Sequence, residues 1–242
     1  VILTISIYFN IAIATLIYCF TAVIPLGCAL IALLLRGHPT ANFIRIVIHY
    51  YGRLITQVAV WPFIRLSYRD TASNECGAGV YICNHRSASD PFFAWVFGQK
   101  IVQIVNGWPM RLVFFGFFAR QGEYLDVTQL SYEQAKHKIS QLISAGVSVV
   151  AFPEGTRSGK REMNKFHSMI FRVSHELKLR IYPCCILGNE QIPDRNFLFT
   201  AGHVTVYKLP KVETVDYADK NPYCLKEAVW HLIGDAINTY EN

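Results

Sequence analysis

Two polar islands interrupt a chain that is otherwise rich in apolar residues. The first lies in residues 81–93, YICNHRSASDPFF, where a strand-like apolar run gives way to Asn84, His85, Arg86 and two serines before Asp90-Pro91. The spacing His85-x4-Asp90 lets a turn fold a carboxylate back onto one imidazole nitrogen. Such a contact fixes the tautomer, leaves the other nitrogen as a base, and stabilises the imidazolium formed when that base takes a proton. A pair of this kind can deprotonate an alcohol, and it needs no enzyme nucleophile if the alcohol itself attacks an activated acyl group. The spacing alone cannot carry the claim. With eight His and seven Asp in 242 residues, about 0.2 such pairs are expected by chance. The plainer reading is a surface His followed by an ordinary N-cap Asp, with Pro91 at the first helical position.

The second island, PEGTRSGKRE at residues 153–162, follows the β-branched run 147–152. Gly155 lets backbone approach a ligand closely. Arg157 presents a fork suited to phosphate or carboxylate, and Thr156 and Ser158 add hydroxyls. Glu154 can only accept when ionised, and so could orient Arg157 or a ligand hydroxyl. The competing reading is a solvated basic loop, given Arg157, Lys160, Arg161 and Lys165 together.

The elements around these islands alternate. Strands are expected at 80–83, 101–105, 147–152, 180–186 and 203–209. Helices are expected from Asp90-Pro91 to Gly98, from the Ser131-x-x-Gln134 capping box to Gly146, over 164–177 and over 225–240, with an apolar helix or hairpin over 109–119. This order predicts an α/β fold: a mostly parallel sheet flanked by helices. In such sheets ligands gather at the carboxyl ends of strands. Both islands sit at such ends and could face each other.

Composition separates the front of the chain from the rest. Apolar residues make up 52% and charged residues 17%, too greasy a balance for an ordinary soluble domain. Residues 1–35 carry no charge, and about 20 apolar residues already cross a bilayer core. Two arrangements fit: one tilted helix with an interfacial extension, or a re-entrant pair bent near Pro25 and Gly27. A cleaved signal peptide is a poor fit, because the run is too long and lacks a small-residue cleavage site.

Residues 1–69 hold five arginines (36, 45, 53, 65 and 69) and no acidic residue, which is +5 of the net +6. A basic, acid-free segment beside an apolar anchor suits an anionic cytoplasmic leaflet. Segment 41–66 reads as an interfacial amphipathic helix, the alternative being a helix packed on the catalytic domain. The expected division is 1–66 as membrane anchor with basic interfacial helix, and 67–242 as catalytic domain. Nucleic acid is not an expected partner, since the arginines lie among lipid-loving residues. Seven cysteines without ligand spacing argue against a zinc site or a disulfide framework, and the Cys184-Cys185 pair reads as buried.

Taken together, Asn84-His85-x4-Asp90-Pro91 and Phe152-Pro153-Glu154-Gly155-Thr156-Arg157-Ser158 resemble the glycerophospholipid acyltransferases, whose best-known branch is the lysophosphatidic acid acyltransferases. The resemblance covers roughly residues 78–190. It implies His85 as general base, Asp90 as its orienting partner, and Glu154, Gly155, Thr156 and Arg157 as parts of the acceptor site. It also implies Arg120, in Phe117-Phe118-Ala119-Arg120, as a cation for an anionic headgroup. The partners implied are a lipid bilayer, a lipid acceptor, and an acyl-carrier-protein or coenzyme A thioester as co-substrate. No cofactor or metal is called for. The implied location is a membrane, with the catalytic domain on the cytoplasmic face, as at a bacterial inner membrane.

This sequence departs from the family pattern in two places. Ala119 stands where the family has Asp, and Phe166-His167-Ser168-Met169 stands where it has Phe-Lys-x-Gly. Both departures bear on the acceptor. A second reading is therefore transfer of another acyl or an aminoacyl group to a non-glycerophosphate lipid, and a third is a membrane lipid-binding protein without catalysis. Oxyanion donors are expected among the backbone N–H groups after Pro91 or in 155–158. Phe92, Phe93, Trp95, Phe114, Phe115 and Phe117 are candidate walls for a fatty chain.

Overall fold

The fold is taken from a computed structural model, which describes residues 1–36, 41–72 and 77–241; the side chains of 21–36, Val113 and Phe114 lie outside that description. The backbone through Pro25 and Gly27, where the re-entrant arrangement would bend, belongs to a single helix, Ile2–Arg36, while the side chains of Phe114 and Cys28 and the whole of Cys76 fall outside the description.

Among the described residues eight strands form one sheet: β1 (Ile64–Asp70), β2 (Val80–Cys83), β3 (Ile101–Val105), β4 (Leu125–Asp126), β5 (Ser148–Ala151), β6 (Arg180–Leu187), β7 (Gly202–Lys208) and β8 (Val212–Glu213). Their order is β1-β7-β6-β2-β5-β3-β4, with β8 beside β6. All pairings are parallel except β6 with β7 and β6 with β8. This is the expected mostly parallel sheet with helices.

Strands β2 and β5 are buried throughout, as is β6 past Arg180, and their alternation feeds two cores. Val80 and Ile82 of β2 point into one core with Val149, Ile181 and Cys185. There they meet α5 (Tyr132–Ser144), α6 (Met169–Glu176) and α7 (Pro222–Glu241) through Ile139, Phe171 and Val229. Tyr81 and Cys83 point the other way with Val150, Tyr182 and Cys184, against Phe93 and Ala94, Val60 and Ile7. The two adjacent cysteines thus serve opposite faces, both fully buried, and burial pushes the Cys185 thiol up to about 12.

Local signals shape the helices as expected where side chains suffice. Ser131 and Gln134 close a reciprocal capping box, and α5 stops at Gly146, whose φ of 73° needs no Cβ. Three expectations need correction. Segment 41–66 is not one helix: α2 (Ala41–Leu54) passes through a π turn at Ile55–Ala59, and β1 begins at Ile64. Nor is α2 laid out on lipid through all its arginines. Arg45 is buried, with Nε donating to Gly122 O and Nη1 to Asn42 Oδ1, and it pairs with Glu123. Finally, the helix expected over 164–177 begins only at Met169, because the chain before it is held out of helix by the site described below.

Helix α1 (Ile2–Arg36) leads the fold, and its first 19 residues, Ile2–Phe20, have a mean hydropathy of 2.0. Among the described residues it is the one helix long and apolar enough to cross a membrane. At 3.6 residues per turn, Thr4, Ile7, Ile11 and Ala14 fall within about 80° of arc, and this is the face packed on the protein. Ile2, Ile5, Phe9, Ile13, Leu16 and Phe20 occupy another arc of about 80° on the opposite side, and all are exposed. A bare apolar stripe of that length suits lipid rather than water.

Candidate active site

Register brings the two islands together. β2 and β5 are parallel neighbours with Ile82 opposite Ala151, and β2 and β6 are parallel neighbours with Cys83 opposite Cys184. The residues just past these strands therefore emerge at one edge of the sheet: His85 after β2, Glu154 after β5 and Asn189 after β6.

His85 Nδ1 lies 2.7 Å from Asp90 Oδ2. Asp90 is wholly buried, and a carboxylate there places the imidazole N–H on Nδ1. Nε2 is left as the basic nitrogen, on a ring that keeps partial exposure and packs on Phe152. Asp90 is not the N-cap of α3 (Asp90–Phe93). Ser89 stands at that position and makes no cap bond. The Asp90 carboxylate instead turns back on its own loop, where Oδ2 accepts the N–H groups of Arg86 (2.7 Å) and Ser87 (2.9 Å). Its other oxygen accepts from the Asn189 side-chain amide. Four donors on one buried carboxylate set its orientation, and through it that of the imidazole.

Glu154 joins the islands. Oε1 accepts His85 N–H at 2.7 Å and Oε2 accepts Asn164 N–H at 2.8 Å. It orients the backbone under the base, whereas the sequence suggested Arg157 or a ligand hydroxyl. Burial, helped by the Asp90 charge, pushes its carboxyl up to about 7 against those two bonds and His85. Ser158 N–H donates to His85 O at 2.7 Å and Gly159 N–H to Arg86 O at 3.1 Å, so the loops are laced backbone to backbone.

Gly155 has φ +70°, and a Cβ there would stand 2.9 Å from the His167 ring. His167 N–H donates to Pro153 O at 2.7 Å, and this bond with the Asn164 bond keeps 164–168 out of helix. Arg157 lays its guanidinium 4.7 Å over the Phe197 ring, and its Nη1 is buried without a hydrogen-bond partner. Thr156 is exposed beside it. Arg120 lies apart, exposed near the end of α4 (Val113–Gln121), with Nη1 donating to Met110 O at 2.6 Å.

Sequence reasoning missed three groups. Asn189 touches Asp90 from 99 residues away. Arg86, wholly buried, pairs with Glu190 and Glu241 and donates to Arg161 O, tying the end of α7 beneath the His85 turn. Arg195 Nη2 donates to Ser158 O at 2.5 Å over the Gly159 turn. Only Asn189 carried a signal, its place at the carboxyl end of a parallel strand.

Two apolar cavities flank α3. The larger, about 590 Å³, lies among α1, α2 and α4 and is lined by Phe92, Trp95, Phe115, Phe118 and Ala119, among others. The smaller, about 220 Å³, includes Phe93. Phe117 is exposed and lines neither. Among the described residues no group of three His, Cys, Asp or Glu side chains could hold a metal ion.

A His–Asp pair with a buried carboxylate and a partly exposed imidazole thus stands at strand ends, laced to a Gly-Thr-Arg loop beside apolar cavities. The acyltransferase family profile matches residues 65–187, half of the chain, and the chain belongs to that family. It is 25% identical over 181 residues to the chloroplastic 1-acyl-sn-glycerol-3-phosphate acyltransferase BAT2 of Brassica napus, covering 67% of this chain and 50% of that one. It is 24% identical to a chloroplastic enzyme of the same description from Arabidopsis thaliana, covering 67% and 48%. The chain thus spans about half the length of these curated relatives. The crystal structure of the 1-acyl-sn-glycerophosphate acyltransferase PlsC from Thermotoga maritima has the same fold. Its TM-score is 0.77 at 18% identity, over 99% of this chain and 95% of that one.

Proposed function

We propose that this protein transfers a fatty acyl group from a thioester to the free hydroxyl of a lipid acceptor at a membrane surface, with 1-acylglycerol 3-phosphate as the acceptor. The observation that carries the reading is the His85–Asp90 contact at 2.7 Å, with Nε2 left as base in a turn bonded to the 154–159 loop. In the reaction His85 Nε2 takes the hydroxyl proton while the oxygen attacks the thioester carbonyl carbon. The oxyanion collapses, the carbon–sulfur bond breaks, and the thiolate leaves with the proton returned by the imidazolium. Asp90 holds the ring and stabilises its charged form.

The N–H groups of Gly155, Ser158 and Gly159 are already bonded within the fold. Those of Thr156 and Arg157 have no partner among the described residues, which leaves them for the oxyanion or the headgroup. Arg157, with Nη1 buried and unpaired, takes the acceptor phosphate. Arg120 is assigned to the acceptor on the family resemblance, and after its bond to Met110 it keeps further N–H donors for an anion. The larger cavity takes the acyl chain of the donor. The apolar stripe of α1 lies in the bilayer, and the acid-free basic front of the chain faces an anionic cytoplasmic leaflet. On this reading α1 and α2 form the membrane-side part and the sheet with its loops forms the catalytic part.

The test is mass spectrometry of the lipids formed by purified protein, an acyl thioester (coenzyme A or carrier protein) and a panel of lyso- and amino-lipids. Phosphatidic acid is the expected product. His85→Ala and Asp90→Asn should each lower kcat by about a thousandfold or more, with vesicle binding retained. Normal turnover in either variant removes the base assignment.

A further inference from the structure

The smaller cavity has no role in the chemistry above, yet it shares walls with the groups that perform it. Ala88 and Ser89, which line it, sit inside the turn between His85 and Asp90. Phe197 lines it as well, and the same ring carries the Arg157 guanidinium. The remaining lining is almost wholly apolar: Ile11 of α1, the π-turn side chains, and Phe199. Phe92 and Tyr51 line both cavities and form the partition between them.

The backbone around Phe197 is built rather than incidental. Phe197 sits at φ 60°, a left-handed conformation unfavourable for an aromatic residue. It is held there by Asp194, whose Oδ1 accepts the N–H groups of Asn196 and Leu198 at 2.8 Å each, while Asp194 N–H donates to Leu198 O. From the other side Tyr8 of α1 donates its hydroxyl to Phe197 O at 2.9 Å. Thr4 of α1 bonds the Phe199 backbone, accepting from its N–H at 3.0 Å. The strained turn, the unpaired cation, the base turn and the membrane-facing helix therefore meet at this one cavity.

We infer that the smaller cavity holds the hydrocarbon chain of the acceptor lipid, so that donor and acceptor chains occupy separate slots on either side of Phe92. This rests on the acyl-transfer reading. An acceptor bound by its anionic headgroup at Arg157, with its hydroxyl at His85, has its own chain beside Phe197 and Ala88. The cavity begins there and runs towards α1, the element that meets the bilayer.

Filling the slot with Ile11→Trp and enlarging it with Phe199→Ala test the assignment. The readouts are KM across lysophosphatidic acids of six to eighteen carbons, and the preference across donor thioesters of the same lengths. Ile11→Trp should raise KM for the longest acceptor relative to the shortest by roughly tenfold, the factor carried by displacing about two methylenes from an apolar site. Phe199→Ala should move the acceptor preference to longer chains. Neither should move the donor preference. A shift in donor preference instead, or an equal KM change for every acceptor length, overturns the assignment.

Equilibrium binding of eighteen-carbon lysophosphatidic acid and of glycerol 3-phosphate, without donor, separates this inference from the activity. If no thioester gives product but Ile11→Trp weakens binding of the long-chain ligand alone, acyl transfer falls and the slot stands. If product forms while neither variant changes chain-dependent binding, the slot falls and acyl transfer stands. Should Ile11→Trp fail to fold by circular dichroism, Phe199→Ala decides.

Discussion

Glu154 shows how one side chain both builds the site and makes it sensitive to pH. Its carboxylate is the shared acceptor for backbone N–H groups of two loops, yet only 3% of the residue is exposed. Its pKa in the fold, about 7, lies above its ordinary 4.5. The folded protein therefore holds this proton more tightly than the unfolded chain. The stability it contributes is complete below about pH 4.5 and is lost as pH rises through about 7, an effect of up to about 3 kcal/mol. Glu154→Gln should remove that component, and the difference in urea stability between wild type and variant should change between pH 4.5 and 7 and level off above. A constant difference across that window would show that Glu154 does not titrate there. The residue was legible in the sequence as part of a polar loop, but its partner was not. The bond runs to a backbone N–H 69 residues away, and no side-chain pattern announces a backbone donor.

At the scale of elements, the loops at three strand ends are held by side chains standing in for strand pairing. Asn84 continues β2 past its last residue: its amide donates to Ile186 O at 2.9 Å, and its oxygen accepts Ile186 N–H at 2.7 Å. Beneath it, Arg86 ties the His85 turn to α7 through Glu241 and to the loop after β6 through Glu190. Removing the cation would leave two largely buried carboxylates facing each other. Arg86→Met should therefore cost about 3–5 kcal/mol in urea unfolding. A loss under about 1 kcal/mol would mean that α7 does not brace the turn. Strand β1 shows a different limit of sequence reading. Ile64, Leu66 and Tyr68 alternate with Arg65, Ser67 and Arg69, a strand period, but the apolar run before it invited a helix through Leu66. Pairing with β7 settles the matter, with Ile64 opposite Gly202 and Asp70 opposite Lys208.

At the scale of the whole molecule, α1 is the hinge between solvent classes. Its bare stripe makes a direct prediction for membrane association. Ile5→Lys, Phe9→Lys and Leu16→Lys combined put three charges on exposed positions and leave the packed face of Thr4, Ile7, Ile11 and Ala14 untouched. The triple variant should keep the circular dichroism spectrum of the wild type and lose flotation with anionic vesicles. Flotation at the wild-type level would place the membrane contact elsewhere.

The sequence by itself determined what local chemistry can determine. It gave the strand–helix alternation, the Ser131 capping box, the uncharged front of the chain, and the two polar islands at strand ends. Each depends on neighbours within a few residues, where propensity, capping and period act directly. Tertiary structure decided which strand ends lie side by side, and so placed Asn189 on Asp90 and Glu241 on Arg86 across 99 and 155 residues. It also decided which face of α1 is bare. A helix apolar all round has no polar period to read, and only the packing of one face against α2 and the π turn leaves the other bare.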